Sequence, residues 1–319
     1  MIWDILFLPV VEVILMGAAT GIVGALAVAH SRIFFSESLT HATFPGAIIG
    51  VVVAAWIAQS VFATRASYGT LSIMLFVGAI LICIPTIWLM RYLARVPGQS
   101  SQASAGIILT FGFALGYFLN KWFAPLPLKI DSFLTGSLLH VNTVDVGALA
   151  VNLLLLLVVV GFGGRYLTFY SFDPVAYRAA GFHEALAEAV ILAAICLTTV
   201  TVIPAVGTIL PIALIAAPAA CLYPQVRSMR TLLWTTPLLG IGIGLVGLAV
   251  AVHWNLSAGG TIACLAGIVY LVVTLARDLM KKLHKPTQKR GRGYAHAGAR
   301  LKVAEAKAVD AEAGQTRNR

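Results

Sequence analysis

Residues 231–252 read Thr231-Leu-Leu-Trp234-Thr-Thr-Pro237-Leu-Leu-Gly240-Ile-Gly242-Ile-Gly244-Leu-Val-Gly247-Leu-Ala-Val-Ala-Val252, a run without one charged side chain. An apolar run of about 20 residues is long enough to cross the hydrocarbon core of a bilayer as a helix. Gly240, Gly244 and Gly247 recur along it at spacings that let helices approach closely in lipid. Gly242-x-Gly244-x-x-Gly247 also fits the dinucleotide pattern GxGxxG. No strand leads into it and no acidic partner follows, so the membrane reading stands.

The same reading extends over most of the chain. Of 319 residues, 60% are hydrophobic and only 11% charged, with a mean hydropathy of +0.93, whereas a soluble domain carries about 25% charged residues. Further apolar runs lie near 7–29, 42–62, 69–90, 105–123, 145–163, 186–204, 207–223 and 259–276, which makes nine spans, with an error of one either way. The first and second runs, and the sixth and seventh, are so close together that broken or re-entrant helices are expected there. Gly17, Gly21 and Gly24 give the first span a small-residue face. Pro45, Pro85, Pro204, Pro211 and Pro218 imply kinks or interruptions. The expectation is an all-α polytopic membrane protein, a bundle of about eight or nine transmembrane helices, some of them interrupted. The start of the chain lacks a basic region and no Ala-x-Ala site follows the first apolar run, so that run reads as a retained span and not a signal peptide. Cys83, Cys196, Cys221 and Cys264 each stand alone in an apolar run and read as small hydrophobes.

Charge divides the chain in two. Residues 277–319 hold 12 basic and 4 acidic residues, net +8, which leaves +2 of the total +10 for the first 276. The expected division is a transmembrane domain over 1–276 and a basic, mostly disordered tail over 277–319, with a weak helix near 299–313. The cluster Lys281, Lys282, Lys285, Lys289, Arg290 and Arg292 suits anionic headgroups, and no nucleic-acid partner is implied. With the tail cytoplasmic, alternation puts Arg32, Arg91, Arg95, Arg165, Arg178, Arg227 and Arg230 on the cytoplasmic side and Arg65, Lys121 and Lys129 outside. That is the orientation a positive-inside bias favours.

Against this background one polar stretch stands out: Glu37-Ser-Leu-Thr-His41-Ala-Thr-Phe-Pro45-Gly46. Glu37 and His41 are four residues apart, about one helical turn, so they share a face. A carboxylate and an imidazole so placed make half of a site for Zn²⁺, Mn²⁺ or Fe²⁺. Ionisable groups within a membrane are costly and by default mark a pathway or site; a buried structural pair is the plainer alternative. Thr40 and Thr43 are expected to orient His41. His140, near an outer loop with Asn142 and Asp145, reads first as a solvated loop histidine and second as a ligand on a metal-access route. His253 reads as interfacial, and Glu12 faces either an outer vestibule or a polar neighbour. Between the fifth and sixth spans, Asp173 and Pro174 can start a short helix and Gly181 can end it. His183, Glu184 and Glu188 after it read as a solvated helix start.

Three segments together resemble the integral-membrane permeases of metal-type ABC importers. The first is residues 37–46, similar to the family's Asp-Ala-x-Ser-His-Ala-x-x-Pro-Gly. The second is Ser171-Phe172-Asp173-Pro174-Val175-Ala176 with Gly181, similar to Ser-Phe-Asp-x-x-x-Ala…Gly. The third is Val206-Gly207-Thr208-Ile209-Leu210 with Ala217-Pro218-Ala219-Ala220, similar to Val-Gly-x-Leu-Leu…Pro-Ala-Ala. Phe133-Leu134-Thr135-Gly136-Ser137-Leu138-Leu139 resembles Phe-Leu-Phe-Gly-x-x-Leu. The resemblance covers roughly residues 10–276 and departs from the family pattern at Glu37, where Asp is usual. It departs again at His140, where a small residue is usual, and at Arg32, which with His30 replaces an arginine pair. It implies a permease subunit that passes zinc, manganese or iron through Glu37 and His41 by alternating access. It implies no permanently bound cofactor, a second copy of the permease, a cytoplasmic ATP-binding subunit and an extracytoplasmic metal-binding protein. Phe172, Asp173, Pro174, Ala176 and Gly181 carry over as the segment coupled to the ATPase. The implied location is the plasma membrane of a prokaryote.

No Gly-x4-Gly-Lys-Ser/Thr occurs in the sequence, so a P-loop ATPase is excluded, as is a His-Glu-x-x-His metalloprotease. The chain is read as a transport subunit and not as an enzyme. An ion-coupled secondary metal transporter is the alternative, and a permease for a metal chelate is a variant within the family.

Overall fold

The computed structural model of the chain describes residues 2–61, 67–93, 96–98, 100–126, 138, 141–208 and 210–283. Two compact units are set apart, Met1–Leu271 and Val272–Arg319. Among the described residues the regular elements are helices: α1 (Ile2–Ala29), α2 (Ile33–Ala42), α3 (Phe44–Val61), α4 (Tyr68–Leu93), α5 (Ser101–Trp122), α6 (Thr143–Phe172), α7 (Pro174–Ala179), α8 (Glu184–Val206), α9 (Leu210–Leu222), α10 (Met229–Trp254) and α11 (Ala258–Leu283). The tail beyond residue 283, with its expected helix near 299–313, lies outside the described residues, as does His140.

Eight helical segments among the described residues are long and apolar enough to cross a membrane, α2 and α3 jointly forming one, Ile33–Ser60. The chain is therefore an all-α polytopic membrane protein. The run expected as a full span at 207–223 is instead α9, of 13 residues. At 1.5 Å per residue it is about 20 Å long, against roughly 30 Å of hydrocarbon. Hydropathy does not register the break that shortens it, at Gly207, whose φ of 79° is open to glycine at little steric cost.

Short as it is, α9 takes the chain from one end of the bundle to the other. Val206, at the end of α8, lies against Gly259 at the start of α11. Tyr223 to Met229, after α9, line a cavity with Ala29 and Ser171. That second end also holds the last turns of α1, α4 and α6 and the first turns of α8 and α10. The basic residues Arg32, Arg91, Arg178 and Arg227 all gather there.

Local sequence accounts for most helix boundaries. Ser100 accepts from the Ala103 amide at the start of α5, and Ser228 from the Thr231 amide at the start of α10. Asn142 and Asp145 form a capping box on α6. α1 ends in a Schellman turn: the Arg32 amide donates to the Ala27 carbonyl at 2.8 Å and the Ser31 amide to the Val28 carbonyl at 3.1 Å. Ser31 takes a φ of 56° there. Pro45 lets α3 begin but has no amide hydrogen for the His41 carbonyl four residues back, which separates α2 from α3.

Glycine seams hold the bundle. α1 and α10 run antiparallel, and a Cβ on Gly17 would sit 2.6 Å from the Ile241 amide nitrogen. Gly21 faces Pro237 and Gly24 faces the Ile215 carbonyl of α9 in the same way. Gly46 and Gly50 of α3 meet Gly78 and Met74 of α4. Lipid tails are as apolar as leucine, so close backbone approach and its dispersion contacts take over from hydrophobic exclusion. Large apolar side chains such as Trp56, Ile84 and Phe162 point outward, as a lipid-facing surface requires.

Gly17→Val is expected to lower stability by about 2 kcal/mol or more, because backbone is what the new side chain meets. Gly69→Ala, with no atom within 4 Å of the added Cβ, is its control. Thermal unfolding of the detergent-solubilised chain reads both, and equal midpoints for the two variants would refute the seam.

Candidate metal site

α2 positions Glu37 and His41 on one face, both half-buried and near enough for the carboxylate to act on the imidazole. The His41 ring meets Phe113 of α5 edge-on, centroids 5.5 Å apart at 87°. Its Nδ1 is buried and makes no hydrogen bond. α5 comes so close because Gly112 lies against Ala42 and Gly116 against Phe44. The Ser38 hydroxyl lies 2.8 Å from the Ala105 carbonyl of α5 and 2.9 Å from the Phe34 carbonyl of its own helix, and so fastens α2 to α5. Sequence reasoning passed over Ser38, although it stands within the polar stretch itself.

Thr40 and Thr43 do not orient His41. Their hydroxyls donate to the carbonyls of Glu37 and Thr40, at 2.5 and 3.2 Å. A hydroxyl in an apolar helix finds its nearest acceptor in its own backbone. Among the described residues no three His, Cys, Asp or Glu side chains converge as a metal cage. Glu37 and His41 are thus at most two candidate ligands from one chain, fewer than the four of a closed zinc site.

The other candidates separate clearly. Asp145 serves as helix-entry residue through its bond to the Asn142 amide, 3.1 Å. His253 is exposed beside Trp254. Glu12 is fully buried, with no hydrogen-bond partner on either carboxylate oxygen, and lies near enough to Asp145 to repel it. Cys83, Cys196 and Cys221 are buried, and Cys264 is exposed.

The segment after α6 folds as its residues dictate. Asp173 caps α7 by accepting from the Ala176 amide at 2.8 Å, Pro174 opens the helix, and Gly181 follows it with a φ of 84°. Phe172 and Val175 are 71% and 68% exposed. Tyr177, which sequence reasoning did not single out, is the anchor: it is buried and rests against Phe169, Tyr170 and Phe182. His183 is exposed, as expected of a solvated helix start, but the two carboxylates after it are paired. Glu184 pairs with Arg178 at 3.3 Å, and Glu188 with Arg32 at 2.8 Å and Arg91 at 3.4 Å.

His30 joins α1 to this segment. Its Nδ1–H donates to the Leu26 carbonyl at 2.8 Å, its Nε2 meets the Ser171 hydroxyl at 3.1 Å, and its ring stacks on Tyr170. Burial, aided by the Arg32 guanidinium, holds the ring below its ordinary pKa of 6.5, against opposing pulls from the Leu26 carbonyl and Glu188.

A profile described as the ABC 3 transport family matches residues 3–277. The chain is 26% identical over 263 residues to the manganese import system permease protein ScaB of Streptococcus gordonii, covering 82% of this chain and 87% of that protein. Among solved structures, PsaBC from Streptococcus pneumoniae in complex with Fab gives a TM-score of 0.71 at 21% identity, over 84% of this chain and 90% of that one. An inward-facing conformation of a putative metal-chelate type ABC transporter gives 0.62 at 18% identity, over 85% of each chain. The two structural likenesses are of fold.

The His30 shift has a definite sign. Above pH 6.5 the ring is neutral folded or unfolded, and its contribution is complete. As pH falls, the unfolded chain takes up the proton first and stability drops. The thermal midpoint is expected to fall between about pH 7 and pH 5, and His30→Gln to flatten part of that fall. An identical pH profile for the variant would remove His30 from the account.

Proposed function

Because the chain belongs to the ABC 3 transport family, we propose that it is the permease subunit of an ATP-driven importer that carries a divalent transition metal inward by alternating access. The observation that carries this reading is the pair Glu37 and His41, one turn apart on a short, largely buried helix of a membrane span, with the imidazole Nδ1 unpartnered. Membrane-spanning segments rarely keep such groups without use. Two ligands suit passage better than storage, since a closed cage would release its ion too slowly. The remaining ligands come from a second copy of the permease, from water or from backbone carbonyls.

The cargo we propose is Mn²⁺, with Zn²⁺ as its competitor. A carboxylate oxygen favours manganese and an imidazole nitrogen favours zinc, and the relative named above is called a manganese permease. An extracytoplasmic metal-binding protein delivers the ion. ATP chemistry belongs to a separate cytoplasmic subunit, since this sequence holds no P-loop. That subunit docks at α7, where Phe172 and Val175 are exposed and Asp173, Pro174, Ala176 and Gly181 set the local geometry. The end bearing Arg32, Arg91, Arg178 and Arg227 then faces the cytoplasm of a prokaryotic cell, and the C-terminus with it. His140 remains a candidate for the access route.

The test is manganese uptake into vesicles holding the permease and its ATPase. Glu37→Ala and His41→Ala are each expected to reduce ATP-dependent uptake by at least about tenfold, the lower range for disturbed metal ligation. Undiminished uptake by both variants would sink the site. Uptake by the permease alone under an ion gradient would favour a secondary transporter, and uptake of only a complexed metal would favour a chelate permease.

A further inference from the structure

We propose that Arg32 and Glu188 form a positioning contact that passes movement of the α7 segment to α2, the helix bearing Glu37 and His41. The inference rests on the importer reading above and deepens it.

The contact begins on α8. Glu184 and Glu188 are one turn apart on this helix and so share a face. Glu184 holds the α7 segment through Arg178 at 3.3 Å, and touches the end of α6 more weakly through the Tyr170 hydroxyl at 3.5 Å. Glu188 holds Arg32, whose Nη2 lies 2.8 Å from Oε1, and Arg91 of α4, 3.4 Å from the other oxygen. One rigid face therefore grips the docking segment with one carboxylate and the start of the metal-bearing helix with the next.

Arg32 is well placed to matter. It is the residue on which α2 begins, five positions before Glu37, and it provides no side-chain cap of its own. Its side chain is free to reach α8. α2 is ten residues, about 15 Å of rod, so a shift at its first turn is carried to His41 near its end. The turn before it is a Schellman motif with Ser31 at positive φ, which lets α2 change direction relative to α1 over three residues. A second strap runs in parallel, since His30 in that turn meets Ser171, two residues ahead of the α7 cap. Arg32 and Glu188 side chains are 29% and 21% exposed, so salt screens this pair less than it would a fully solvated one. Two elements tied by discrete contacts to one helix are the kind of connection through which coupling between sites is carried.

A purely structural ion pair would have similar geometry, so the test reads coupling. In proteoliposomes of the full complex, manganese ions imported per ATP hydrolysed are measured alongside the manganese KM. Arg32→Gln and Glu188→Gln are expected to lower the imported ratio about tenfold, while ATP hydrolysis continues and KM changes by less than about twofold. Arg32→Lys, which keeps the charge, recovers part of the loss. The double variant is no worse than either single one, as for two groups acting through one bond. An unchanged ratio in Arg32→Gln, or additive losses in the double variant, would overturn the inference. If Glu188→Gln fails to assemble, the half-exposed Arg32→Gln and Arg32→Lys variants carry the comparison alone. Failure of the wild-type complex to import metal on ATP would sink the importer reading and this inference with it. A normal ratio in the variants, with the wild type active, sinks this inference only.

Discussion

A bilayer interior offers no water to a polar group, and the arrangement of polar side chains in this chain follows from that. The hydroxyls of Thr20, Thr86, Thr110 and Thr168 each donate to the carbonyl four residues earlier, at 2.6–2.7 Å, and so satisfy themselves within one helix. Groups that cannot do this need a partner on another helix, as Asn152 finds in Thr198 at 3.0 Å. Among the described residues, Glu12 with both oxygens and His41 with Nδ1 are buried without one. Burial without a partner costs several kcal/mol for a polar group and more for a charged one. The His41 imidazole faces α5 beside the Glu37 carboxylate, where an ion could use what the protein leaves unmet.

The features legible in the sequence are those that local rules control. Apolar runs located the spans, and Asp173, Pro174 and Gly181 marked α7 to the residue. Capping is local in the same way: Asp145 starts α6 by accepting from the Asn142 amide three residues earlier. What escaped was long-range. Glu184 and Glu188 look like an ordinary solvated start until α8 is laid beside Arg32, 156 positions away in the chain for Glu188. The hold of Ser38 on Ala105 is of the same kind. The length of α9 escaped for another reason: a run of apolar residues has the same hydropathy whether or not a glycine turns the backbone within it.

The site inherits its character from the break between α2 and α3. Thr43 keeps helical backbone and its bonds run through the junction, so α2 and α3 form one span, notched where Pro45 cannot donate to the His41 carbonyl. α2 is held to α5 by Ser38 and to α8 by Arg32. Its two ligand candidates move as one body because they share a turn.

Arg32 has one further consequence, in how the chain is made. Residues 1–31 contain no Lys or Arg, so Arg32 stands as the first such charge, at the trailing end of α1. A positive charge at a helix end resists translocation, and in the orientation proposed above this end is the cytoplasmic one. In that orientation the guanidinium serves as a topological signal before Glu188 has been synthesised, and as one half of a bond only afterwards. A substitution at this position would then carry two separable defects: chains inserted the wrong way round, and correctly inserted chains whose helices are no longer tied.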